Sequence, residues 1–162
     1  MSIKKVAFEF DPFEETGIEV RRGRREEALA EIAEFVKTET LSFVGDGVSP
    51  VAGGKWKKSL SPEYKKIKKD VSGVSYANLE LYGDMLDALE VVPKGRKKLS
   101  IQITGDQAGK ADGNNRGTYG KKDEDPDQAR EFIPKEGQTF KREIWSGIRD
   151  ILENYAEDDT SE

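Results

Sequence analysis

Leu89-Glu90-Val91-Val92-Pro93-Lys94-Gly95-Arg96-Lys97-Lys98-Leu99-Ser100-Ile101-Gln102-Ile103 is the stretch on which the fold turns. Two apolar-rich runs, 89–92 and 99–103, flank a turn with Pro93 and Gly95, and this pattern reads as a β-hairpin. The second run alternates strictly. Leu99, Ile101 and Ile103 fall on one face and Ser100 and Gln102 on the other, so the first set is expected inside and the second outside. A two-stranded hairpin is barely stable alone and must bury its apolar face against further elements. The rest of the chain is read for those elements.

Two long helices are predicted. Residues 24–44 carry Leu29, Ile32, Ala33, Val36 and Phe43 at helical spacing, with Phe35 beside the stripe. Glu26, Glu27 and Glu31 sit in the first half, as the helix dipole prefers. Residues 138–156 carry Phe140, Ile144, Trp145, Ile148, Ile151, Leu152 and Tyr155 three and four apart, the strongest amphipathic pattern in the chain; Gly147 weakens it slightly. At the other end of the chain, Val6, Phe8 and Phe10 alternate with Lys5, Ala7 and Glu9, which suits a strand with one buried face. Asp11-Pro12 breaks that strand, and 13–23 reads as a loop or a short second strand around Ile18 and Val20. The expected fold class is therefore α+β, one domain over residues 1–162, with a small antiparallel sheet packed against two long helices.

Between the first helix and the hairpin lies a lysine-rich unit. Gly53-Gly54-Lys55-Trp56 leads to Ser61-Pro62, a hydroxyl N-cap followed by proline at the first helical position, which starts a helix. Trp56 and Tyr64 bracket that start and are placed in the structural core, as are Leu86, Leu89, Phe132 and Trp145. Residues 82–89 read as a short helix with Met85, Leu86 and Leu89 on one face. Gly54-Lys55 invites a phosphate-loop reading, but Ser49 stands where the first glycine belongs and Trp56 where a magnesium-binding hydroxyl belongs. Lys55, Lys57, Lys58, Lys65, Lys66, Lys68 and Lys69 interleave with the two aromatic residues, a mixture able to hold phosphates and stack on bases. The plainer reading, a solvated helix face with its aromatic rings turned inward, is preferred because no nucleic-acid motif accompanies it. The same choice applies to Arg21, Arg22, Arg24 and Arg25, which form either a solvated face or a contact with a neighbouring subunit.

Residues 105–128 are poor in large apolar side chains and read as a long mobile loop, ordered only by a neighbour. Asp123, Asp125 and Asp127 alternate like a calcium loop, but Gln128 stands where glycine is required and Pro134 where the bidentate glutamate belongs. Together with Glu124 they form an acidic candidate interface instead. Residues 129–134 return the chain to the core through Phe132 and Ile133, and 157–162 read as an acidic, disordered tail.

Composition narrows the function. The 162 residues are 36% charged and 35% hydrophobic, so the core is small for the length. There is no histidine and no cysteine, which removes the commonest general base, the commonest metal ligands and every thiol or Ser-His-Asp arrangement. No pair of carboxylates can be placed in a pocket, and no cofactor or metal is expected. A net charge of −5 does not favour nucleic acid overall. No apolar run approaches the roughly 20 residues of a membrane span.

The order of segments carries a resemblance. A long helix is followed by the glycine-tryptophan loop, then Leu60-Ser61-Pro62-Glu63-Tyr64 and the lysine run. Leu81-Tyr82-Gly83-Asp84-Met85-Leu86-Asp87-Ala88-Leu89 comes next, followed by a hairpin, a glycine-rich loop, Ala129-Arg130-Glu131-Phe132-Ile133-Pro134 and a final helix. This resembles the virion-morphogenesis, or tail-completion, proteins of tailed bacteriophages over roughly residues 24–156. Tyr82 stands where that family usually has threonine, and Ala88 where it has serine. The resemblance implies a non-enzymatic virion protein of the head–tail junction, assembled in the host cytoplasm. It also implies a small α+β subunit, often in a ring of sixfold symmetry. Its partners would be copies of itself, neighbouring neck and tail proteins and, in passing, the DNA of the channel, with no membrane. The alternative is a nucleic-acid-binding accessory protein using the 55–69 lysine stretch.

Overall fold

The computed structural model describes residues 5–46, 48–54, 86–108, 111–112 and 131–160, with backbone alone at 106 and 157–160. Three strands, β1 (Lys5–Phe10), β2 (Glu90–Lys94) and β3 (Lys98–Thr104), form an antiparallel sheet in the order β1-β3-β2. The hairpin β2–β3 supplies two strands, and the N-terminal strand pairs on the far side of β3. In that register Val6, Phe8 and Phe10 lie opposite Ile103, Ile101 and Leu99, while Val91 lies opposite Ile101 from the other side. The alternation of both segments therefore builds one continuous apolar face.

Two long helices cover that face: α2 (Arg25–Gly45) and α3 (Arg142–Thr160). The inner side of α2 is a row at four-residue spacing, Ala28, Ile32, Val36, Thr40 and Val44, all buried, with Leu29 beside it. Ile144, Ile148 and Leu152 form the matching row on α3. The two helices meet at Gly147, where the Phe35 ring lies directly on the α3 backbone and fills the space a Cβ would take. Gly147 thus marks a close helix–helix approach, and the cost in helix propensity is the minor effect. An aromatic cluster joins α3 to β1. The Phe140 ring meets Phe8 and Phe10 edge-on, at centroid distances of 5.3 and 5.2 Å, and Trp145 meets Phe10 at 5.9 Å.

Several expectations need correction. Residues 12–16 form a short helix, α1 (Pro12–Thr16), rather than loop or strand. Asp11 caps it, accepting 3.0 Å bonds from the Phe13 and Glu14 amides, with Pro12 at the first turn and Gly17 closing it in the left-handed region at φ 72°. Pro93 lies within β2, opposite Leu99, and not in the turn; an edge strand tolerates the missing amide. The last helix starts at Arg142 rather than Gln138. The backbone of 139–141 is bound to 50–52 instead, through Ala52 N–H to Thr139 C=O, Lys141 N–H to Pro50 C=O and a Val51–Phe140 bridge. That helix also runs on to Thr160, so the first part of the acidic tail is helical. Ser100 and Gln102 are buried, not solvated, at 0% and 8% exposure. They sit on the central strand, sheltered by the flanking strands, and form a polar relay. Ser100 Oγ donates to Gln102 Oε1 and Gln102 Nε2 donates to Glu90 Oε1, both at 3.0 Å. The 105–128 stretch begins with a 3-10 turn (Gly105–Gln107), and Ala108 and Ala111 are fully buried, so its first residues belong to the fold.

Of the candidate core residues, Leu89 and Phe132 are buried, while Leu86 and Trp145 pack half-buried at its edge. Trp56 and Tyr64 lie outside the described residues, as does Met85 of the short helix, of which Leu86 and Asp87 are described and helical.

Candidate functional site

Two chain segments far apart in sequence bring cationic side chains to one place. A single 3-10 turn, Arg22–Arg24, delivers the chain into α2 and exposes Arg21 and Arg22. The hairpin turn at 95–97, all exposed, reaches the same end of the molecule with Arg96 and Lys97, flanked by Lys94 and Lys98. The result is an opening of about 500 Å³ lined by Arg22, Arg25, Lys94, Arg96, Lys97 and Lys98, with Asp11 the one carboxylate among its lining residues. Asp11 already caps α1 through its Oδ1. The N-terminus of α2, the positive end of its dipole, opens at the same place.

Each arginine of the 21–25 cluster is placed differently. Arg25 Nε donates to the Val20 carbonyl at 3.1 Å, which fixes the guanidinium at the wall of the opening. Arg24 is turned inward. Its guanidinium lies 4.6 Å from the centre of the Tyr155 ring and 3.6 Å from the Glu27 carboxylate. Tyr155 in turn donates its hydroxyl to Glu31 at 3.4 Å. Burial, and then the neighbouring Glu31 carboxylate, raise the Tyr155 hydroxyl above its ordinary range, so it stays protonated as the donor. Arg24 is therefore a strut between α2 and α3, and Arg22 and Arg25 are the members of the cluster that line the opening.

The sequence reading found the arginines but missed their partners, Lys94, Arg96, Lys97 and Lys98. The signal was present, four cations within a five-residue turn, but it was read only as turn chemistry. The other candidate interface residues, Lys55, Lys57, Lys58, Lys65, Lys66, Lys68, Lys69, Asp123, Glu124, Asp125 and Asp127, lie outside the described residues.

A groove of about 740 Å³ lies alongside, between α2 and the edge strand β2, with Leu29, Ala33, Val91 and Pro93 among its apolar lining and Glu26, Glu34 and Lys37 among its charged residues. Among the described residues, no three acidic, histidine or cysteine side chains are grouped so as to hold a metal ion, and no helix is long and apolar enough to cross a membrane.

At the opposite side of the core, segments named in the sequence reading are tied together. Ser49 Oγ donates to the Glu131 carbonyl at 2.6 Å and accepts from the Val51 amide at 3.1 Å. Gly54 packs so tightly on Ser49, the Glu131 side chain and the Val51 carbonyl that a Cβ there has no room. Phe132 and Ile133 are fully buried behind this knot. A scan against protein-family models finds no matching family, and searches of curated proteins and of solved structures find no similar protein.

Proposed function

We propose that this chain is a structural subunit of a tailed-phage neck, a tail-completion protein that assembles with copies of itself at the head–tail junction. The observation that carries the reading is the knot at Ser49, Gly54 and Glu131. Gly54, which begins one segment of the resemblance, packs against the side chain of Glu131 in another, and Ser49, just ahead of the first, donates to the Glu131 carbonyl from 82 positions away. The contact is what supports the reading: two segments of the resemblance lie together in one fold. The subunit works by shape and charge: α2 and α3 fix a rigid body, and charged edges meet its neighbours. Many weak contacts repeated around a closed ring hold it together cooperatively.

Mass under native conditions tests the reading. A closed ring of identical copies is expected, at least in the presence of neck components, and phage particles lacking the protein should accumulate filled heads and separate tails. A chain that stays monomeric and whose loss leaves particles joined would overturn it. The basic opening at Arg22, Arg96 and Lys97 also favours a second reading, nucleic-acid binding. That reading requires DNA affinity falling steeply with salt.

A further inference from the structure

We propose that the outer edge of β1 pairs antiparallel with the β1 edge of a second copy of this chain, about a two-fold axis at Ala7. The sheet has two edge strands, β1 and β2, with β3 between them. β2 carries Pro93, which has no amide to offer a further strand. β1 has no proline and keeps an unbroken register with β3 from Lys5 to Phe10, so no bulge turns its edge away. No backbone hydrogen bond reaches β1 from a described residue outside β3. Alternate amides and carbonyls of the strand therefore point outward, away from the sheet. Lys5, Ala7 and Glu9 are exposed. Val6 and Phe8 are only half-buried, although the β3 residues opposite them, Ile103 and Ile101, are fully buried. The apolar face of the sheet thus runs on to this edge and is open there.

The occupant follows from the strand's own sequence, Lys5-Val6-Ala7-Phe8-Glu9-Phe10. Residues opposite one another in an antiparallel pair share a face, so joining two apolar faces requires even positions to meet even and odd to meet odd. Centred on Ala7, the pairing sets Lys5 opposite Glu9 of the second copy and Glu9 opposite its Lys5. It sets Val6 opposite Phe8 on the apolar face, and Ala7 opposite itself on the axis, where a small side chain fits a close approach. Other registers lose this match. Centred on Val6 or on Phe8, the pairing puts Ala7 against Lys5 or Glu9. Centred on Lys5 or on Glu9, it puts like charges face to face, which destabilises a strand pair. Charge complementarity therefore selects one register and one partner, a second copy. The product is a continuous sheet in the order β2-β3-β1-β1-β3-β2, with the helices of both copies on one side. One strand pair buries less than the roughly 1,600 Å² of a standard stable interface, so the dimer forms at high concentration and dissociates on dilution. This inference does not rest on the neck-protein reading: a two-fold contact closes on itself, and a ring needs another surface.

The test uses the full-length chain and a charge swap. Sedimentation velocity of the parent over a dilution series should show a monomer–dimer equilibrium. Lys5→Glu alone and Glu9→Lys alone each set like charges opposite one another at two places in the dimer, and each should weaken it about tenfold. Lys5→Glu combined with Glu9→Lys restores opposite charges with the signs exchanged and should return the affinity to near the parent's. Both positions are exposed, and the double variant carries both substitutions, so its recovery excludes misfolding as the cause of the single losses. Residue-resolved hydrogen exchange locates the contact. Alternate amides of β1 should slow in the concentrated parent and stay fast in Lys5→Glu at the same concentration. A parent that is monomeric at every concentration overturns the inference. So do single variants that associate as the parent does, a double variant no better than the singles, or β1 amides whose exchange is indifferent to concentration.

Discussion

At Gly147 the Phe35 ring occupies the place of a side chain, so the usual sign of a glycine-to-alanine change in a helix is reversed. In an open helix Gly147→Ala would stabilise by about 1 kcal/mol. Here the added methyl must displace Phe35 and the α2–α3 approach, and a loss of about 1–3 kcal/mol is expected by urea unfolding. A gain would show that Phe35 swings aside freely. Thr40 works in the opposite direction. Its hydroxyl is fully buried in the inner row of α2 and has no hydrogen-bond partner among the described residues. Thr40→Val removes an unmatched polar group while keeping the shape, so a gain of about 1 kcal/mol is expected; a loss would mean that the hydroxyl has a partner in solution. Trp145 is half-buried and donates its indole N–H to Thr139 at 2.9 Å. Trp145→Ala should accordingly cost less than the about 3–5 kcal/mol of a fully buried ring.

At the scale of elements, α1 shows how a short segment is held by one side chain. Asp11 satisfies two amides of a helix only five residues long. Asp11→Ala should destabilise by about 1 kcal/mol, and Asp11→Asn, which keeps an acceptor, by clearly less. Equal losses would point to the charge rather than the cap. The signal for α1 was legible: Asp11-Pro12 is the same cap-and-proline pattern that Ser61-Pro62 shows. In the sequence analysis it serves only as the break after the first strand. The hairpin, by contrast, was readable at nearly its observed boundaries, since period-two alternation depends only on neighbouring residues. The start of α3 was not. Phe140 has helical spacing with Ile144, but its backbone pairs with Val51, a partner 89 positions away that no local pattern announces.

At the scale of the whole molecule, β3 is the element around which the rest is arranged, paired on both edges and buried on both faces. Native-state hydrogen exchange should find its central amides among the slowest, opening only with global unfolding, while the amides at the end of α3 exchange far faster. β3 amides that exchange as fast as those of β1 or β2 would mean the sheet opens as separate strands. The basic opening belongs to this scale as well. The Arg21–Arg25 cluster was visible in the chain, but Arg96 and Lys97 join it only because the hairpin turn and the entry to α2 lie at one end of the fold.

The sequence alone determined the α+β class, the two long helices, the hairpin and the burial of Phe132 and Ile133. The helices and the hairpin rest on local periodicity, on which hydrophobic burial acts directly, and Phe132 and Ile133 on an apolar pair in a polar stretch. It also determined the lack of histidine and thiol chemistry. Only the tertiary structure decided what depends on distant partners. The sheet order put β3 in the middle and so buried Ser100 and Gln102, which a two-stranded hairpin would leave in water. The α2–α3 approach turned Gly147 from a weak helix former into a required contact. The meeting of two basic turns at one end of the fold brought Arg22, Arg25, Arg96 and Lys97 to one opening. Charges and small residues take their meaning from what stands opposite them, and that is set by the fold rather than by neighbours in the chain.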